Sequence, residues 1–188
     1  MPMPLQVRRL LTAAYVLTGF NYQKGEVWGA EWSAKFTTGN FSLYGNFAWG
    51  RETGSIVSSN QSLFAPNELN YIAHQWINTD HSQLLTANGG FSYLFGDGTR
   101  FSMNMIYASG LRAGDFNTDH VPAYTVFNVG LQRQIWEHGL FDKPITGRFD
   151  VVNVFDRIYQ IRNGSGIGVF ASQFGPRRGY YVGMSQKL

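Results

Sequence analysis

The chain has 188 residues, of which 16% are aromatic and only 14% charged; it carries a net charge of +3 and no cysteine. A soluble domain has about 25% charged residues, so these charges are too few to coat an ordinary water-facing surface. The missing cysteine excludes a disulfide scaffold and thiolate chemistry, and the scattered Lys and Arg form no basic stripe for nucleic acid.

Residues 1–10 are left without an assignment. Behind Arg8 and Arg9, residues 10–20 (LLTAAYVLTGF) imitate the short apolar centre of a signal peptide. No small-x-small cleavage site follows, however, and the stretch is far below the ~18 apolar residues of a spanning helix. A strand over 11–22 is the better reading. Residues 31–50 (EWSAKFTTGNFSLYGNFAWG) then alternate with period two. Trp32, Ala34, Phe36, Phe41, Leu43, Phe47 and Trp49 lie on one face and Glu31, Ser33, Lys35, Ser42, Tyr44 and Asn46 on the other, with Gly39-Asn40 at the reversal. That pattern is a β-hairpin. Further strands are expected over 82–95, 99–109, 122–136, 146–159 and 178–188; with 11–22, 26–36 and 40–52 they make about eight, and no helix is convincing.

Most of these segments reach the ~9–11 residues that cross a bilayer at a tilt. Short connections (37–40, 96–98, 137–144) alternate with long ones (53–81, 110–121, 160–177), as in outer-membrane barrels with their tight turns on one side and large loops on the other. The brief 23–25 link is the exception. The polar faces use Ser, Thr, Asn and Gly rather than Lys and Glu, which suits a crowded, wet lumen better than an open surface. Trp28, Trp32, Trp49, Phe95, Trp136, Tyr180 and Tyr181 gather near strand ends like the aromatic girdles of a barrel. The competing account is that aromatics pack in any sheet. A transmembrane antiparallel up-and-down β-barrel, all-β and about eight-stranded, is the expected fold class, with the hairpin's apolar face toward lipid.

The C-terminal fifth, RFDVVNVFDRIYQIRNGSGIGVFASQFGPRRGYYVGMSQKL, sharpens this expectation. Its Asn153-Val154-Phe155-Asp156 block with Tyr159 after it, the run from Gln173 through Arg178 to Gly179, and a last strand ending at the final residue resemble the end of TonB-dependent receptors of the Gram-negative outer membrane. TGNFSLYGNFAWG and ELNYIAHQWINTDHSQ also look like segments of that family, and the likeness extends over residues 19–188. It implies the C-terminal part of a larger barrel of roughly 22 strands, so residues 11–188 form a partial barrel with no room for a plug domain. It also implies uptake of a ferric siderophore or similar bulky ligand. Contact with TonB is expected only through an N-terminal region missing from this chain, which alone would not be transport-competent. The expected partners are outer-membrane lipid and the barrel-assembly machinery. Gly183, five residues before Leu188, matches the family's terminal assembly signal, although Leu188 stands where Phe is usual and Gln186 where a hydrophobe is usual. The alternative is a small self-closed outer-membrane barrel with a structural or adhesive role.

In the family, outer loops capture the ligand. The longest loop here carries Phe64, Tyr71, His74, Trp76 and His81, and the others Arg112, Asp115, His120, Arg162 and Phe170. Aromatic and basic groups suit an anionic, aryl-bearing iron chelate, although any one of them is also an ordinary loop anchor. His74 and His81 are seven apart, and His120 and His138 lie in different connections, so no metal-ligand spacing appears. No Gly-x-Ser-x-Gly elbow occurs, Asp150 and Asp156 read as turn and lumen hydrogen-bonding groups, and the glycine-rich run 164–168 lacks the helix a phosphate cradle needs. Neither an enzyme nor a cofactor is expected.

Overall fold

A computed structural model describes residues 21–58, 65–114, 116–139, 143–164 and 172–186. It opens with two strands of 18 residues each, β1 (Asn21–Thr38) and β2 (Phe41–Ser58). They are joined through Gly39-Asn40, and Gly39 adopts the φ of +50° that a tight reversal requires. The pair stays in register from Thr38↔Phe41 to Asn21↔Ser58.

This corrects the expected link at 23–25. Lys24 faces Ser55 and Gly25 faces Gly54 inside the ladder, because β2 continues far enough to offer partners and pairing overrides the turn preference of Gln-Lys-Gly. The rest of the expected 11–22 strand lies outside the described residues.

The chain continues through α1 (Pro66–His74), β3 (Ile77–Asn78), β4 (Leu85–Leu94), β5 (Arg100–Ala108), β6 (Arg112–Ala113), β7 (Asp119–His120), β8 (Tyr124–Trp136), β9 (Ile145–Val152), β10 (Gln160–Arg162), β11 (Gln173–Phe174) and β12 (Gly179–Gln186). The main sheet has the order β1-β2-β4-β5-β8-β9-β12, with β3 added beside β2. Every neighbouring pair is antiparallel, so the path is an up-and-down meander. Its short connections all fall at one end, the turn end, and its long ones at the other, the loop end. Without the 23–25 link, that alternation has no exception. Among the described residues the sheet is open, with β1 and β12 at its edges.

Register sorts the side chains into two faces. One row of Cα partners runs Phe36, Leu43, Phe91, Met103, Val129, Val151, Tyr180 across all seven strands; the next row on that face runs Thr38, Phe41, Tyr93, Phe101, Leu131, Phe149, Val182. On the opposite face one row reads Thr37, Ser42, Ser92, Ser102, Gly130, Asp150, Tyr181. Asparagine pairs stitch that polar face: Asn46 Nδ2 donates to Asn88 Oδ1 at 2.8 Å, and Asn128 Nδ2 to Asn104 Oδ1 at 2.7 Å. Gly130 leaves room for its neighbours, since a Cβ there would lie 2.6 Å from Asp150 Oδ1 and 2.9 Å from Ser102 Oγ.

The small buried core sits at the loop end rather than between layers. Val57, Ile72 and Ile77 are buried together, with Tyr22, Leu69 and Phe116 packed around them. The nine-residue α1 is a second correction, because no helix was expected. Pro66 opens it, where a missing N–H costs nothing, and Glu68 Oε2 accepts from the Ala65 N–H at 2.6 Å. Docking Ile72 onto Val57 supplies what so short a helix lacks alone.

Candidate functional site

The described parts of the long connections at the loop end are folded structures rather than open loops. The first carries α1 and β3; the second pairs β6 with β7 (Arg112↔His120, Ala113↔Asp119). They are fastened to each other. Asn78 Nδ2 donates to the Asn117 carbonyl and Asn117 Nδ2 to the Asn78 carbonyl, both at 3.1 Å. The Arg112 N–H donates to the Ser82 carbonyl at 2.9 Å, and the Tyr71 and Phe116 rings lie 5.5 Å apart. Asn117 is buried and has φ of +56°, a backbone state that asparagine tolerates better than most side chains.

This cap collects several of the loop residues singled out from the sequence. Tyr71 stands on α1 against Phe116. His74 closes the same helix, its Nδ1–H donating to the Asn70 carbonyl at 2.8 Å. Trp76 is exposed between α1 and β3. His81, at φ of +62°, places Nδ1 2.8 Å from Asp80 Oδ2. Arg112 and His120 face each other across the β6–β7 ladder, and His120 Nδ1–H donates to the Val121 carbonyl at 3.0 Å. Burial, and then repulsion from Arg51, pulls the Arg112 guanidinium below its usual pKa. Arg162 lies apart, in the β10–β11 ladder of the third connection. Phe170, like Phe64, Asp115 and Leu188, lies outside the described residues. Among the described residues no three His, Asp or Glu side chains converge to hold a metal ion.

Beside the cap, on the polar face, lies a hollow of about 490 Å³. Its floor is made of small residues, Gly29, Ala48 and Gly50, with Glu31, Glu52 and Thr86 around them and Ser82–Leu84 of the first connection closing one side. A second hollow on that face, of about 370 Å³, is bordered by Asn104, Asn128, Arg148, Asp150 and Tyr181. There Asp150 Oδ2 accepts from Arg148 Nε at 2.6 Å. The second hollow presents mainly hydrogen-bonding groups, whereas the first is also lined by Val27, Trp28, Trp49 and Leu84.

The Asn153–Asp156 block forms a clasp. β9 ends at Val152, not at 159 as expected, because Asn153 turns the chain with φ of +52°. Asn153 is 1% exposed. Its Nδ2 donates to the carbonyls of Arg157 (2.8 Å) and Pro176 (3.0 Å), and its Oδ1 accepts from the Arg157 N–H at 2.9 Å. Its own N–H donates to Asn128 Oδ1 at 2.8 Å. Three residues on, the Asp156 carboxylate accepts from Arg177 Nε at 2.7 Å, from Arg177 Nη2 and from the Arg178 N–H at 3.0 Å. The hydrogen bond from Arg177, reinforced by the Arg178 N–H and both positive charges, holds Asp156 well below the usual carboxylate range. The Tyr159 ring fills the space a Cβ on Gly175 would need and lies 4.4 Å from the Tyr124 ring. The clasp therefore fixes where the approach to β12 meets the end of β9. Gly183, by contrast, has open space where a Cβ would project.

An up-and-down antiparallel sheet with one apolar and one polar face, and all its large connections at one end, has the architecture of a β-barrel wall. The chain is similar in structure to BauA, the ferric preacinetobactin receptor from Acinetobacter baumannii, with a TM-score of 0.50 and 14% identity over 86% of this chain and 26% of that one. At that identity the likeness is one of fold, and the chain spans about a quarter of the receptor's length. No protein-family model and no curated protein matches the chain. Among the described residues no helix is long and apolar enough to cross a membrane, which says nothing of crossing by strands.

Proposed function

We propose that the chain is a segment of an outer-membrane receptor barrel for a ferric siderophore or a similar bulky ligand, and that it transports nothing without the rest of such a receptor. The observation that carries this reading is the apolar face. Trp32, Phe36, Leu43, Leu131, Phe149 and Met184 are all exposed on it, and Val182 is 82% exposed. Soluble monomers rarely expose contiguous apolar surface beyond a few hundred Å², whereas lipid would cover such a face, and the polar face opposite suits a barrel lumen. The likeness to a ferric siderophore receptor supports the ligand class. The fastened loop cap with Tyr71, Trp76, Arg112 and His120 is the proposed capture surface, and the partner reading that goes with it is TonB acting through a plug contributed from outside this chain.

Two measurements test this. The chain in outer-membrane fractions should migrate on a denaturing gel as a heat-modifiable species and should resist protease over β4, β5 and β8 while the loop end is cut. A chain released by carbonate, or cut throughout the sheet, would overturn the membrane reading. Ligand capture would show as quenching of Trp76 fluorescence by a ferric catecholate or hydroxamate chelate, lost on Arg112→Ala. Equal quenching in that variant would remove the loop cap from the proposed site.

A further inference from the structure

Two arginines stand near each other at the loop end with no acid between them. Arg51 follows Trp49 on the apolar face of β2 and lies opposite Trp28 of β1, and the Trp28 and Trp49 rings meet edge to face at 4.8 Å. Residues 82–84 join this strand to Arg112. The Gly50 N–H donates to the Leu84 carbonyl at 3.0 Å on one side, and the Arg112 N–H donates to the Ser82 carbonyl at 2.9 Å on the other. The Arg112 side chain is close enough to Arg51 to feel its charge, and no described carboxylate offsets that repulsion. Among the described residues neither guanidinium has an ion-pair or side-chain hydrogen-bond partner. Glu52 belongs to the opposite face, and Glu26, which faces Thr53, pairs with neither arginine.

The strands set the height of this pair. Trp28 and Trp49 lie about ten residues from the Gly39 turn, which at ~3.3 Å per residue and a tilt of ~40° is ~25 Å, the height of a barrel's apolar band. The two tryptophans therefore mark the level where rings meet headgroups, and the arginines come immediately beyond it. An unneutralised guanidinium pair at that level calls for an anion, and the guanidinium fork fits phosphate oxygens two at a time. We infer that Arg51 and Arg112, with Trp28 and Trp49 on their membrane side, hold the phosphate of an anionic lipid headgroup in the leaflet at the loop end. Lipid is favoured over an iron chelate because Arg51 shares the apolar face, away from the polar face along which a ligand entering the lumen would pass. At the turn end, by contrast, Arg133 of the apolar face is already held by Asp97 at 3.1 Å. The site rests on the membrane reading for its level. Arg112 is shared with the proposed capture surface, whereas Arg51 belongs to the lipid site alone.

Binding is measured on the full chain in uncharged detergent micelles, with phosphatidic acid as the phosphomonoester probe, phosphatidylcholine as the zwitterionic control and inorganic phosphate as the free-anion control. Phosphatidic acid should bind saturably, about tenfold or more weakly in Arg51→Gln and in Arg112→Gln, and unchanged in Arg133→Gln. Phosphatidylcholine should not compete, inorganic phosphate should compete only at far higher concentration, and Trp76 quenching by the ferric chelate should survive Arg51→Gln. Four results overturn the lipid site. A heat-modifiable chain that ignores phosphatidic acid lacks it, and equal loss in Arg133→Gln reduces the effect to net charge. Competition by equimolar inorganic phosphate makes the pair a free-anion site, and loss of chelate quenching in Arg51→Gln moves it to ligand capture. Should Arg112→Gln fail to fold, Arg51→Gln decides, because the Arg51 side chain makes no hydrogen bond in the fold. If the unmodified chain is not heat-modifiable at all, the membrane reading itself fails and the site falls with it, so the two failures are distinguishable.

Discussion

Asn78 and Asn117 exchange two side-chain-to-carbonyl hydrogen bonds of 3.1 Å, and through them two long connections behave as one body. The relationship is reciprocal, so each asparagine both donates through its amide and accepts through its main chain. Asn117→Ala removes one of these bonds, leaves the Asn78 carbonyl without that donor, and places alanine in a left-handed backbone state. Together these should cost about 1–3 kcal/mol of local stability. Faster amide exchange over α1 and β6–β7, with exchange in β4 and β5 unchanged, is the expected readout. An unchanged cap would mean that Val57, Ile72 and Ile77 suffice to hold it.

Asn153 has a more demanding position. Its side chain makes three hydrogen bonds while nearly fully buried, and its backbone has positive φ. Asn153→Asp keeps the shape but replaces the amide donor with oxygen facing two carbonyls. Asn153→Gly keeps the backbone and loses all three bonds. Both should be destabilising, by about 3 kcal/mol or more for Asp, since a buried unpaired charge costs more than a lost neutral bond. The midpoint of thermal loss of the heat-modifiable band should fall in the order wild type, Gly, Asp.

The Asp156 clasp gives a pH prediction. The folded pKa of Asp156 lies below its unfolded value, so its stabilisation is fully present above the ordinary aspartate pKa of about 3.9. It is lost as pH falls from there through the depressed folded value. Acidification below about pH 4 should therefore raise proteolytic cleavage beside Arg177 and Arg178, using an acid-stable protease. Asp156→Asn should show the higher cleavage at every pH, with the acid-dependent rise gone. The groups are exposed enough for salt to weaken the effect, so it should shrink in 1 M NaCl.

How much of this was legible in the sequence depends on the range of the interaction involved. Period-two alternation is a property of each strand alone, so the hairpin through Gly39-Asn40, the bodies of β4, β5 and β8, and the apolar and polar faces could be read directly. The ends could not. β1 passes through Gln23-Lys24-Gly25 because Ser55 and Gly54 lie opposite, a fact about another segment. β9 stops at Asn153 because Asn128, Arg157 and Pro176 converge on that residue. α1 escaped notice although Pro66 and Glu68 are legible start signals, because nine residues hold too little periodicity without the contact to Val57. At the loop end the chemistry-bearing residues were visible, but the asparagines that bring them together were not. Asn78 and Asn117 are 39 apart in the chain, and only the fold pairs them.

Gly183 separates folding from recognition. A Cβ there meets nothing within 4 Å, and β12 pairs with β9 through Gly183↔Arg148 without needing a special backbone state. Gly183→Ala should therefore leave the thermal midpoint of the assembled protein unchanged. If the terminal strand is read by the barrel-assembly machinery at this position, the same variant should accumulate more slowly in the outer membrane. Equal accumulation would show that Gly183 is no part of an assembly signal.

Leu131 and Gln132 are chain neighbours near the middle of β8 that register places on opposite faces, Leu131 opposite Phe149 and Gln132 opposite Arg148. Both are already exposed. If water bathed both faces, Leu131→Arg would be a surface change within about 0.5 kcal/mol of neutral, and Gln132→Arg, placed between Arg100 and Arg148, would be the costlier of the two through like charge. In a bilayer the order inverts. Arginine on the lipid face near the midplane costs about 2–4 kcal/mol, whereas a like-charge cross-strand pair in the lumen costs about 1 kcal/mol or less. Leu131→Arg should therefore lower the folded, heat-modifiable fraction strongly in bilayers, and Gln132→Arg should lower it less. A greater loss for Gln132→Arg would mean that the Leu131 face does not meet lipid, because the like charges beside Gln132 would then be the larger cost.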